Sequence, residues 1–220
     1  LLSRPANPTC VAPARVAGAG TVSATWLAGD IGAPAAPGST TVASGRYTVR
    51  GSGADIWGTR DAFHFTRRQL TGDGDVVARV ASLSPTDAWA KAGVMVRASL
   101  AADSPFALML VTPGGNGGSF QYRTTAGGTA GPPNSADRVS LVPRWVKVSR
   151  RGNAVSGSLS ADGVAWTSVG TVTLPLASTA YVGLAVTSHV DGVLATGVFE
   201  NVTVSPATPA AVLAAGTVGS

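Results

Sequence analysis

The stretch GSGADIWGTRDAFHF, Gly51 to Phe65, gathers two aspartates, a tryptophan, an arginine and a histidine within fifteen residues. Such density suits proton transfer or the binding of a polar ligand. Hydrolysis of a glycosidic bond needs two carboxyl groups across a cleft. One donates a proton while the other attacks or activates water. The chain has a single glutamate, Glu200, in its last strand-like segment. The central apolar segments between residues 92 and 125 carry no Asp-x-Asp or Asp-x-Glu pair. Asp73 and Asp75 stand two apart, but TGDGD reads as a turn entering a strand. There is no Gly-x-Ser-x-Gly elbow. The two histidines, His64 and His189, lie far apart and show no zinc-type spacing. An enzyme is therefore not expected, and a hydrolase built from distant carboxylates stays as the enzymatic alternative. Gly51 to Gly53 then reads as a strand exit, with Asp55 and Asp61 fixing the turn through backbone amides.

Composition narrows the class. Apolar residues reach 45%, charged residues only 12%, and there are 28 glycines and 14 prolines in 220 residues. Mean hydropathy is +0.25. That is a core-forming, turn-rich chain and not a disordered one. Formal charge is +5, yet the basic residues are scattered and lysine occurs only at Lys91 and Lys147. Sequence-independent nucleic-acid binding wants a basic stripe interleaved with stacking aromatics, so no nucleic-acid partner is expected. The lone Cys10 forms no internal disulfide. No apolar run is long enough for a membrane helix. LLSRPANPTC lacks the order of an intact signal peptide.

Strand signals recur between Gly, Asp and Pro punctuation, and no helical period competes. Strands are expected at 21–27, 46–51, 63–70, 75–83, 92–99, 106–112, 119–125, 145–151, 154–160, 166–174, 181–188 and 193–204. Asp162-Gly163 marks a hairpin turn. Residues 126–142 read as a long loop. Residues 1–20 and 205–220 read as Pro- and Ala-rich linkers flanking one domain, 21–204. Short connections between many strands predict an all-β, two-sheet antiparallel β-sandwich.

Alternation then sorts the side chains. On SFQYRTT, Phe120 and Tyr122 share one face, Gln121 and Arg123 the other. On AGVMVRAS, Val94 and Val96 oppose Met95 and Arg97. The apolar set fits the inter-sheet core, which sends Arg97, Gln121 and Arg123 to an outer face. Guanidinium forks, an amide and flat apolar surface suit a sugar platform. An ordinary solvated sheet face is the competing reading. If Phe63 and Phe65 point inward, His64 joins that outer face. His189, beside the Asp191-Gly192 turn, is a second candidate. Either histidine could equally serve only to bond a loop. Trp26, Trp145 and Trp166 read as packing residues. Trp57 and Trp89 flank turns, where they either plug a sandwich end or offer an indole face to a pyranose ring. Asp30 and Glu200 would form a structural calcium site if the first and last strands pair.

The ordered segments GSGADIWGTRDAFHF, LTGDGDVVARV, WAKAGVMVR, ADSPFALMLVTP, FQYRT, RWVKVSRRGNAVSGSLSADGVAWTSVG, YVGLAVTSH and ATGVFENVTV resemble the concanavalin A-like modules appended to bacterial secreted proteins. These are related to the domain of unknown function 1349 and laminin G-like groups. The resemblance covers Ala24 to Val204. It implies a jelly roll and an extracellular, carbohydrate-related setting within a larger polypeptide. The expected function is non-catalytic binding of a polysaccharide or glycan, or adhesion. A structural subunit of a surface layer or filament, with self-association, is the alternative outside enzymes.

Overall fold

A computed structural model describes residues 20–131, 134–137 and 142–207. The linkers expected at the termini lie almost wholly outside these residues, as does Cys10. The elements are β1 (Thr21–Val22), β2 (Leu27–Ile31), β3 (Ser39–Ala43), β4 (Arg46–Gly51), β5 (Ile56–Trp57), β6 (Arg60–Asp61), β7 (Phe63–Thr71), β8 (Gly74–Leu83) and β9 (Lys91–Arg97). They continue with β10 (Phe106–Val111), β11 (Gly118–Arg123), β12 (Asn134–Asp137), β13 (Arg144–Arg151), β14 (Ala154–Ser160), β15 (Thr167–Thr173), β16 (Thr179–Thr187) and β17 (Ala195–Pro206).

Two antiparallel sheets pack face to face as an all-β sandwich. Sheet A runs β1-β7-β16-β9-β10-β11-β12, with β2 also on β7. Sheet B runs β15-β14-β13-β8-β17-β4-β3. The sheets differ in how they meet water. Along β8, Val76, Ala78 and Val80 are buried, while Asp75, Val77 and Arg79 between them are only partly covered. That alternation is the mark of a strand with one solvated face. In sheet A, all of β9 and all of β10 are buried. FALMLV is apolar without a break because both of its faces are covered.

Consequently there are two apolar layers. Val94, Val96, Met109, Phe120, Leu184 and Phe199 belong to the layer between the sheets. Ile56, Phe63, Phe65, Met95, Phe106 and Leu108 form a second layer on the outer side of sheet A. Each such side chain stabilises by about 1.5–3 kcal/mol when fully buried. The lid over the outer layer is the small β5–β6 hairpin. Its backbone is tied to neighbouring turns by Asp61 N–H to the Ala102 carbonyl (2.8 Å) and Ala130 N–H to the Gly58 carbonyl (2.8 Å).

Several expected boundaries change. The first strand breaks at residues 23–26, where Ser23 Oγ accepts from the Gln69 N–H and the Arg68 side chain donates to the Ala24 carbonyl. β3, β5 and β6 were not anticipated. The 126–142 segment contains β12, paired on β11 with a register shift between Gly118 and Ser119. The Asp162-Gly163 turn joins β14 to β15, with Gly163 at φ +80° and the Asp162 carboxylate accepting from the Val164 and Ala165 amides.

The close β9–β10 pairing makes one testable demand. A Cβ at Gly93 would collide with the Met109 carbonyl oxygen and lie 2.7 Å from Leu110 Cα, both backbone atoms. Gly93→Ala is expected to cost about 1–3 kcal/mol by overpacking. Thermal unfolding measures it, and an unchanged midpoint would show that the sheet can open there.

Candidate functional site

The strand parity was right, but its outer face is not open to water. Arg97 and Arg123 are each 0% exposed. They are buried under the β5–β6 hairpin because the second apolar layer encloses them. Arg123 grips Asp61 at both oxygens, through Nη1 (3.0 Å) and Nη2 (2.7 Å). It also donates to the carbonyls of Trp57, Gly58 and Ser104 at 3.0–3.1 Å. Arg97 approaches Asp61 at 3.5 Å and donates to the carbonyls of Ser99 (2.6 Å) and Ala101 (2.5 Å). Their planes rest on Phe63 and Phe106. Burial pushes the Asp61 carboxyl up, while Arg123 and Arg97 pull it back. Asp61 thus anchors two arginines and does not cap backbone amides. These arginines fold the face and cannot touch a ligand.

His64 is also corrected. Phe63 and Phe65 belong to the outer layer, so His64 and Thr66 point toward sheet B. His64 is buried, with Nδ1 2.6 Å from the Asp30 carboxylate and Nε2 3.1 Å from Thr40 Oγ1. Thr40 Oγ1 lies 2.5 Å from Thr66 Oγ1. A carboxylate accepts, so Nδ1 is the donor of the His64–Asp30 bond. This chain of hydroxyls pins β3 across the sandwich to β7.

The calcium pairing fails for a topological reason. Asp30 lies in sheet A beside β7, while Glu200 lies in sheet B on β17. Asp30 also accepts from the Gly38 amide, and Glu200 accepts from Arg79 at 2.6 Å. Among the described residues, no group of three or more His, Cys, Asp and Glu side chains gathers as a metal-ligand set.

The other candidates converge. Trp57, Trp89, Gln121 and His189 line one cleft of about 390 Å³, together with Asp55 and Lys91. Lys91 opens β9, Gln121 rises from β11, and Asp55 and Trp57 come from the hairpin lid. His189 and Trp89 stand on the loops after β16 and before β9. The outer face of sheet A is therefore open where the hairpin lid leaves this cleft.

A charged chain runs along the cleft. Lys91 Nζ bonds the Asp55 carboxylate. The second Asp55 oxygen lies 3.3 Å from His189 Nε2, and His189 Nδ1 lies 3.1 Å from the Asp87 carboxylate. The same Asp87 oxygen accepts from the Trp89 N–H of the backbone (2.7 Å) and so fixes the loop that carries the indole. Lys91 is almost wholly buried, and burial pushes its pKa down, opposed mainly by Asp55. Asp55 does accept one backbone amide, from Ile56 at 2.7 Å, but its other partners are ionisable side chains of the cleft. His189 has φ +59°, an uncommon backbone state for a residue with a side chain, held by the Ser188 Oγ contact to Val190.

Gln121 is the most telling member. It is 2% exposed, and its Oε1 is buried with no hydrogen-bond partner. An amide oxygen stripped of water and left unpaired costs about 1–3 kcal/mol. Gln121 lines the same cleft as Trp57 and Trp89 and brings this unpaired acceptor to its floor. Asp55, Asp87 and Lys91 were missed from the sequence. Lys91, a rare lysine at the start of an apolar run, was the available signal.

No family model and no curated protein sequence matches the chain. Similarity appears among solved structures. A functionally unknown protein from Saccharomyces cerevisiae aligns at 19% identity and TM-score 0.60, over 84% of this chain and 96% of that one. The carbohydrate binding module CBM66 from Bacillus subtilis aligns at 17% identity and TM-score 0.55, over 82% and 94%. The GH43 protein BlXynB from Bacillus licheniformis aligns at 12% identity and TM-score 0.55, over 73% of this chain but only 36% of that one. At these identities the likeness is one of fold.

Proposed function

We propose that this chain is a non-catalytic carbohydrate-binding module of a larger secreted bacterial protein, and that the cleft between Trp57 and Trp89 holds the sugar. Membership of the domain of unknown function 1349 group belongs to the same reading. The carrying observation is the unpaired Gln121 Oε1, sealed from water in a cleft walled by two indoles. A sugar ring presents apolar C–H faces to indoles and hydroxyl donors to an amide oxygen. Lys91, Asp55 and His189 add donors and acceptors already held in place, which lowers the ordering cost of binding. The likeness in fold to a carbohydrate binding module agrees with this.

Binding without turnover fits the carboxylates. Asp55 accepts from Lys91 and Ile56, and Asp87 accepts from the Trp89 amide. Neither is presented as a proton donor to a glycosidic oxygen.

The experiment is affinity electrophoresis and titration calorimetry across a broad panel of polysaccharides and oligosaccharides. Wild-type protein should bind at least one neutral glycan, and Trp89→Ala should weaken that binding about tenfold by removing an aromatic platform. No binding across the panel, or binding that Trp89→Ala leaves intact, defeats the proposal.

A further inference from the structure

The outer face of sheet A carries a second depression at the opposite ends of the strands. The cleft lies at the Lys91 end of β9. At the other end Arg97 pairs with Tyr181 of β16. Six residues of strand at about 3.3 Å each put about 20 Å between the two ends. The depression has a volume of about 270 Å³, and Ser23, Thr25, Leu27, Arg67, Gln69 and Tyr181 are among its lining residues. It forms where the edge partner of β7 changes from β1, on Leu70 and Thr71, to β2, on residues 63–67, with Ser23 bonded to Gln69 between them.

Arg67 and Arg68 are the charged groups that line the depression, and Arg67 shares the outer parity of β7 with Phe63 and Phe65. Among the described residues, no carboxylate stands within ion-pair distance of Arg67, in contrast to Arg79, Arg97, Arg123 and Arg151. Its Nε is sealed from solvent without a hydrogen-bond partner. Arg67 Nη1 lies 3.5 Å from where a Cβ would stand on Gly29, so the guanidinium lies close against β2. Neighbouring Arg68 also has a buried, unpartnered Nε, although it bonds Ala24 and covers Trp26.

The charge behind the floor is unbalanced as well. Arg97 and Arg123 share the one carboxylate of Asp61. The Arg97 pKa is pushed down to about 10, first by burial and then by the charges of Arg123 and Arg67, while Asp61 and Asp103 oppose. A guanidinium that already raises the energy of a buried neighbour gains when an anion arrives.

We propose that this depression binds an oxyanion carried by a polysaccharide, a uronate carboxylate or a sulfate ester, through the Arg67 guanidinium. The planar fork of arginine matches such groups. Tyr181 and the half-exposed Leu27 offer apolar surface to a ring, and Ser23, Thr25 and Gln69 offer hydroxyl and amide partners. The carrier rests on the glycan-binding reading above. The anion site itself rests on Arg67.

The test is affinity electrophoresis of the full chain in gels holding a neutral polysaccharide panel, polygalacturonate, carrageenan or duplex DNA. The proteins are wild type, Arg67→Glu, Arg67→Gln and Trp89→Ala. Wild type should be retarded by polygalacturonate or carrageenan, and which of the two identifies the anion. Both Arg67 variants should lose about tenfold in that affinity and show a shallower salt dependence, with neutral glycan binding unchanged. Arg67→Gln keeps the readout if the charge reversal unfolds. Anionic retardation lost with Arg67 while neutral glycans are never bound supports this site and sinks the Trp89 cleft. Neutral binding lost with Trp89 while no anionic gel retards the protein sinks this site alone. Equal retardation of wild type and both Arg67 variants overturns it, as does equal Arg67-dependent retardation by DNA.

Discussion

Asp61→Asn is expected to cost about 3–5 kcal/mol, because it leaves buried guanidinium groups without their counter-charge. For a domain of this size that lowers the unfolding midpoint by about 6–20 °C. The change is nearly isosteric, so it tests charge and not volume. Among the described residues, Asp61 is the single carboxylate within ion-pair distance of two arginines that are each 0% exposed. The geometry also says what else should move. Arg123 ties Trp57 and Gly58 of the hairpin to Ser104 of the next turn. If the arginine is set loose, the lid that carries Asp55 and Trp57 loses its anchor. Glycan binding should therefore fall together with stability. Arg97→Ala and Arg123→Ala would lose binding for the same reason, so they cannot serve as tests of ligand contact. Thermal unfolding by circular dichroism, with binding measured well below the midpoint, separates the two effects. A midpoint within about 2 °C of wild type would mean that the arginines are neutralised by other means, since each kcal/mol is worth about 2–4 °C.

The sandwich was legible because its strands obey simple periods. β8 and β13 alternate cleanly, and Asp162-Gly163 turns the chain where it should. What sequence could not supply was which face of sheet A meets water. On β11, Gln121 and Arg123 look like a solvated face, and parity correctly placed them together. The neighbour strand carried the contrary signal. FALMLV has no polar residue on either parity, so both sides of sheet A had to be covered. Had that run decided the matter, Arg123 and Arg97 would have been read as buried and paired. His64 failed through the same assumption, since Phe63 and Phe65 were assigned to the only core then in view. Trp57, Trp89, Gln121 and His189 were singled out one at a time, but their meeting depends on the β5–β6 lid. Two-residue strands have no period to detect. The partners Asp55 and Asp87 are joined to them only in three dimensions.

Gln121→Leu should therefore move stability and binding in opposite directions. In the free protein the Oε1 is desolvated and unpaired, so replacing the amide by an apolar group of similar size removes a penalty of about 1–3 kcal/mol. Part of that gain returns as stability, and the midpoint should rise by about 2–4 °C per kcal/mol recovered. A sugar hydroxyl that donates to Oε1 in wild type would instead meet a methyl group. Its buried, unpaired donor then costs about 1–3 kcal/mol of affinity, a weakening of about five- to 150-fold. Gln121 stands on β11 opposite Leu108, and both residues are buried. A fall in the midpoint would show that the amide already has a partner in the free protein. A rise with unchanged affinity would show that Oε1 does not face the sugar. A desolvation penalty carried by the free protein and relieved on binding is the signature that separates a built site from an ordinary gap between side chains.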